Sequence, residues 1–134
     1  MNKNQVLIEA EKSLQEIQKL HDANQKIAFY AERGSDWNHY SKIINELINT
    51  YNTEVHYITS DHTDPILKNK HKNIFSYYIG YDKVRNVFFQ TLQFKVFVTT
   101  MPDLGKFTFT RSPYDVHYSY VFSSLISSHM GYMH

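Results

Sequence analysis

Two short stretches hold most of the side chains whose spacing suggests chemistry. Arg33-Gly34-Ser35, just ahead of a predicted helix, can hold a phosphate through backbone N–H groups and a guanidinium. The stretch has neither the spaced glycines of a dinucleotide fingerprint nor the lysine of a phosphate loop, so a tight turn with a helix cap accounts for the same residues. Asp61-His62-Thr63-Asp64 gathers two carboxylates and an imidazole, the raw material of a divalent-cation site or an acid–base pair. A strand-end turn with an N-cap explains it equally well. No second ligand cluster accompanies it, and neither a metal nor a cofactor is expected. His56 and His117 fall inside apolar runs and are expected to pack or hydrogen-bond in the interior, whereas His129 near the end is less easily assigned to packing. Serine, histidine and aspartate all occur, but the Gly-x-Ser-x-Gly elbow does not, which sets serine hydrolysis aside.

The elements that must position these residues follow from periodicity. Apolar, β-branched and aromatic runs bounded by turn-forming residues predict strands at residues 26–31, 54–60, 74–79, 95–100 and 116–122, with a short extra strand at 106–110. Residues 5–24 carry a partly helical pattern and are expected to form a surface helix that covers a sheet edge. Trp37, Tyr40, Ile43, Ile44, Leu47, Ile48 and Tyr51 recur at spacings of three and four, which predicts a helix on the sheet, capped by Ser35 or Asp36. A shorter helix is expected from Val84 to Leu92, and a last one from about Ser123. Strands alternating with helices predict an α/β, Rossmann-like half-domain of about five mostly parallel strands with helices on both faces. The expected organisation is an N-terminal surface helix over 1–25 and a Rossmann-like domain over 26–134. In such sheets ligands collect beyond the carboxyl ends of the strands.

Composition narrows the function classes. The chain has 134 residues, 42% hydrophobic and 16% aromatic, enough for one core and inconsistent with disorder. A formal charge of +1 is far from the basic stripe that nucleic acid demands. With no cysteine, disulfide frameworks, thiolate zinc sites and cysteine nucleophiles are excluded, and a reducing cytosol is a compatible setting. No apolar run approaches the roughly 18 residues of a membrane span.

The wording of several segments carries a resemblance. Phe29-Tyr30-Ala31-Glu32-Arg33-Gly34-Ser35-Asp36-Trp37, Tyr57-Ile58-Thr59-Ser60-Asp61, Val98-Thr99-Thr100-Met101-Pro102-Asp103-Leu104, and Arg111-Ser112-Pro113 followed by residues 116–122 occur in that order. Together they resemble the N-terminal part of CDP-glycerol glycerophosphotransferase-like proteins, from about residue 26 to the end. The resemblance implies the acceptor-side half of a two-domain transferase at the cytoplasmic face of the plasma membrane, moving glycerol phosphate from CDP-glycerol to a glycan or polyol-phosphate polymer. It implies that Arg33, Gly34 and Ser35 touch an acceptor phosphate or shape the cleft, and that Thr99, Thr100 and Asp103 line it.

Two departures qualify it. Relatives hold the nucleotide mainly in a C-terminal half, so CDP-glycerol binding is expected only if such a half is supplied. They also carry a histidine directly after the strand matching Tyr118–Phe122, as base for the acceptor hydroxyl, where this sequence has Ser123; His117 and His129 are the alternative counterparts. A serine hydroxyl does not accept a proton near neutral pH as an imidazole does. The chain closes at Gly131-Tyr132-Met133-His134, shortly after the last helix is predicted to begin and without capping residues, so an interrupted and inactive transferase is expected. The alternative is a non-catalytic α/β binding module or the subunit of a split enzyme.

Overall fold

Runs such as Ala28-Phe29-Tyr30-Ala31 are apolar at every position, which suits strands covered on both faces. The computed structural model describes residues 2–100 and 114–121; the predicted strand at 106–110, the helix from Ser123, and Asp103, Ser123 and His129 lie outside them. Five strands form one sheet: β1 (Ile27–Ala31), β2 (Val55–Thr59), β3 (Ile74–Tyr78), β4 (Val96–Thr99) and β5 (His117–Tyr120). All pairings are parallel and the order is β3-β2-β1-β4-β5. Ile27 stands opposite Val55 on one side and Val96 on the other.

Among the described residues three helices cover the sheet: α1 (Lys3–Gln18), α2 (Trp37–Asn49) and α3 (Lys83–Gln90). Tyr40, Ile44 and Ile48 of α2, spaced by four, are buried against Phe29, Val55, Tyr57 and Val98. Ile43 and Tyr51, part of the same predicted stripe, are exposed. The opposite face holds α1 and α3, whose Ala10, Ile17, Val84, Phe88 and Phe89 pack with Ala28, Tyr30, Ile58 and Phe97. The α/β, Rossmann-like arrangement with helices on both faces is the one the sequence predicts. The sheet is more regular than "mostly parallel", since its five strands are parallel throughout.

Local departures have physical reasons. Helix α1 ends at Gln18, earlier than predicted, and a 3-10 turn at Ala23–Gln25 leads into β1. Its start is fixed by a reciprocal cap, in which Gln5 N–H donates to Asn2 Oδ1 at 2.9 Å and Asn2 N–H to Gln5 Oε1 at 3.3 Å. The helix lies on the edge strand β3, where Tyr78 N–H donates to Ser13 Oγ at 3.3 Å, so it does cover a sheet edge. Between β2 and β3 the chain makes a 3-10 turn at Pro65–Lys68, with Asp64 as its N-cap through Ile66 N–H at 3.1 Å. Gly80, between β3 and α3, has φ of +69°, a conformation that suits glycine. Among the described residues no helix is long and apolar enough to cross a membrane.

His56 is buried as predicted. Its Nδ1 meets Tyr77 Oη at 3.0 Å, and its ring stacks with Phe75 and Tyr77. Nε2 lies 3.3 Å from Glu54 Oε1, an ion-pair distance, without the alignment of a hydrogen bond. Burial holds the imidazole below the ordinary histidine range, with Glu54 pulling the other way. The folded chain therefore favours neutral His56, while the unfolded chain protonates it near pH 6.5. Stability is expected to be full above that pH and to fall as pH drops below it. Denaturant titrations at pH 7.5 and pH 5.5 should show the loss, and His56→Leu should shrink it.

Candidate functional site

The strand order reverses direction between β1 and β4. The crossover from β1 runs by α2 on one face to β2, and the one from β3 runs by α3 on the other face to β4. Loops leaving β1 and β4 therefore part in opposite directions and open a crevice beyond the strands' carboxyl ends. The β1 side is Glu32-Arg33-Gly34-Ser35, and the described part of the β4 side ends at Thr100.

A polar cluster fixes the β1 loop from beneath. Glu32 receives Arg85 Nη1 at 2.8 and 3.1 Å and Tyr30 Oη at 2.9 Å, and its backbone carbonyl accepts from Tyr81 Oη at 2.6 Å. Tyr30 Oη also pairs with Ser60 Oγ, and the Arg85 guanidinium lies 5.5 Å from the Tyr81 ring centre. Strands β1 and β2 and the start of α3 are thus tied together at one point. Tyr40 adds a tie from the other face, donating to the Tyr30 carbonyl at 2.6 Å.

Three of the loop's N–H groups, those of Glu32, Arg33 and Gly34, are taken by carboxylates of the chain itself. Asp36 turns back to accept from Glu32 N–H at 2.9 Å and Arg33 N–H at 3.3 Å, instead of capping α2 in the forward direction. Gly34 N–H donates to Asp61 Oδ2 at 2.8 Å, across 27 residues. A Cβ on Gly34 would meet Asp61 Oδ2 at 3.3 Å, so glycine permits this approach. Asp61 Oδ1 accepts from the Thr63 hydroxyl at 2.6 Å and its N–H at 2.9 Å. The Thr63 hydroxyl, then the Gly34 and Thr63 N–H groups, hold the Asp61 carboxyl below the usual carboxylate range against a smaller opposing effect of burial. Burial pushes neighbouring Asp64 upward, although Ile66 N–H and Thr59 Oγ1 both donate to it. Asp61-His62-Thr63-Asp64 thus works as a brace and cap, and among the described residues no three His, Asp or Glu side chains gather as metal ligands.

Arg33 and Ser35 are exposed on the loop with Gly34 half-buried between them, so the three stand together as the sequence suggests. Thr100 is half-buried at the end of β4, but Thr99 is fully buried and lies beneath the crevice wall. His117 corrects an expectation: it is exposed, not interior. As the first residue of β5, opposite Val96 at the start of β4, it lies at the amino end of the sheet, away from the crevice. No protein-family model, curated protein or solved structure matches this chain.

Several site residues carry no local sequence signal. Glu32 and Arg85 are 53 positions apart, and only the α3 crossover brings them together. Tyr57, inside β2, is fully buried beside Trp37 and Tyr40, with its hydroxyl unbonded. An unmet buried hydroxyl costs about 1–3 kcal/mol. Tyr57→Phe is therefore expected to leave stability unchanged or raise it by up to about 1 kcal/mol. Tyr40→Phe, which loses the bond to the Tyr30 carbonyl, should lower it by about 1 kcal/mol or more. Urea midpoints of the two variants would show the opposite signs.

Proposed function

We propose that this chain is the acceptor-binding half of a CDP-glycerol glycerophosphotransferase-like protein, holding a glycan or polyol-phosphate acceptor at the crevice between β1 and β4. One observation carries the reading: the strand order reverses there, so the exposed Arg33 loop and Thr100 flank a single crevice at the ligand-binding end of the sheet. The resemblance assigns acceptor contacts to these same two loops. Because the Gly34 N–H is engaged by Asp61, the Arg33 guanidinium and the Ser35 hydroxyl are the groups assigned to an acceptor phosphate.

The chain binds without transferring, in this reading. Ser123 stands where the related proteins carry their base, and His117 is at the amino end of β5. CDP-glycerol belongs to a second half facing the crevice, and the setting is the inner face of the plasma membrane. Purified chain mixed with a glycerol phosphate oligomer should show saturable binding by calorimetry, weakened about three- to tenfold in Arg33→Ala. Added CDP-glycerol should yield no transfer. Absence of oligomer binding, or an Arg33→Ala variant that binds unchanged, would sink the acceptor assignment; transfer by the chain would sink the non-catalytic one.

A further inference from the structure

A pocket of about 370 Å³ opens beside the β1 loop, between the start of α2 and the 3-10 turn after β2. Trp37, Asn38, Asp64, Pro65, Ile66 and Asn69 wall it, and Gly34 joins it to the crevice side. We infer that this pocket is a subsite for one uncharged sugar ring, seated with its C–H face on the Trp37 indole. The inference deepens the acceptor-binding reading, and rests on it only in counting that sugar as part of the acceptor.

The wall has the mixed character a sugar needs. Trp37 is half-exposed and meets the buried Tyr57 ring edge-on at 5.7 Å, so its indole is a supported, flat surface with a known backing. Pro65 and Ile66 extend the apolar side. Asp64, Asn38 and Asn69 supply acceptors and amide donors on the polar side. Asp64 is buried and held in place by Thr59 and by Ile66 N–H, so it backs the polar side, and the exposed amides of Asn38 and Asn69 are the groups a sugar hydroxyl can reach. Size agrees, since about 370 Å³ lies at the small end of ligand pockets and is ample for a single sugar ring.

Charge selects the uncharged ligand. Among the described residues no lysine or arginine lines the pocket, and Asp64 is part of its wall. Asp61 stands next to Gly34 at the mouth, with Oδ2 on the Gly34 N–H. A phosphate entering there meets the Asp61 carboxylate and, among the described lining residues, no cation, whereas hydroxyl groups find the amides of Asn38 and Asn69. Phosphate recognition is thereby left to Arg33, on the crevice side of the same loop.

The test uses an internal reporter, because Trp37 is the only tryptophan of the chain. The full chain would be titrated with D-glucose, N-acetyl-D-glucosamine and glycerol 3-phosphate while tryptophan emission is followed. A saturable change with a neutral sugar is expected, with a dissociation constant on the order of 1 mM. Asn38→Ala should weaken it at least about threefold, and Trp37→Ala, followed by calorimetry, at least about tenfold. A response to every neutral sugar that never saturates, stronger binding of glycerol 3-phosphate than of either sugar, or unchanged binding in both variants would overturn the subsite. Sugar binding at Trp37 without glycerol phosphate oligomer binding at Arg33 would keep the subsite and remove the acceptor reading. Oligomer binding with Trp37 silent to sugars would do the reverse.

Discussion

Phe97→Ala is expected to destabilise the chain by about 3–5 kcal/mol, the range for emptying a large aromatic site in a packed core. Phe97 has no solvent exposure and sits in β4 within 6.2 Å, centre to centre, of the rings of Tyr30, Phe88, Phe89 and Tyr118. Those rings come from β1, α3 and β5, so no single element can move in to fill the space. Thermal unfolding should shift downward by roughly 10 °C or more. Phe97→Leu, which retains most of the volume, should cost only about 1 kcal/mol. The cavity also loosens the support under Tyr30, whose hydroxyl holds Glu32 and Ser60. A shift of only a degree or two for Phe97→Ala would mean that Phe97 is not central to this core.

Glu32→Ala comes second, at about 2–3 kcal/mol. Breaking a fully buried ion pair from one side costs about 3–5 kcal/mol. Here the side chains of Glu32 and Arg85 retain 25% and 16% of their exposure, so water offsets part of the loss. The alanine removes the acceptor for Arg85 Nη1 and for Tyr30 Oη together. Glu32→Gln, which keeps one acceptor oxygen, should cost less, and a Glu32→Ala, Arg85→Ala cycle should return a coupling energy of about 1 kcal/mol or more. Because the cluster seats the Arg33 loop, Glu32→Ala should also weaken binding of the glycerol phosphate oligomer. Additive single variants would show that the pair does not act as a unit.

Much of the fold was legible because local and tertiary preferences agree. The strands at β1, β2, β3 and β4 are short apolar runs closed by Glu, Asp, Gly or Thr, and both faces of the sheet demand that composition. Helix α2 was legible from its four-residue spacing, although Ile43 and Tyr51 show that the buried stripe is narrower than the apolar one. The cap at Asp64 could be read from Asp-Pro, since proline at the first helical position follows naturally from an aspartate cap. Asp36 could not be read so well: a forward cap and a backward brace use the same residue type, and the choice depended on where the β1 loop came to rest.

The candidate site was legible as a place more than as a set of contacts. Arg33, Gly34 and Ser35 were found because they follow a strand, yet Gly34's N–H proved to be engaged by Asp61, a bond across 27 residues that no periodicity encodes. His117 is exposed although it belongs to a strand, because it is the first residue of an outer strand and faces solvent there. Thr99 and Thr100 are neighbours in sequence with different exposure, since Thr99 is the last residue of β4, inside a sheet covered on both faces, and Thr100 lies just past the strand end at the rim.

The strand order also sets the order in which the chain can assemble. Ile27 meets Val55 after 28 positions but Val96 only after 69. Closing the longer loop costs about 0.8 kcal/mol more in chain entropy. Strands β1, β2 and β3 with α2 thus make an early nucleus, and β4 docks late, after α3 has crossed the sheet. The seam that forms last is the one between β1 and β4, beneath the crevice. Amide exchange there should be the fastest of the three inner strands, so the proposed ligand end of the molecule is also where the fold yields first.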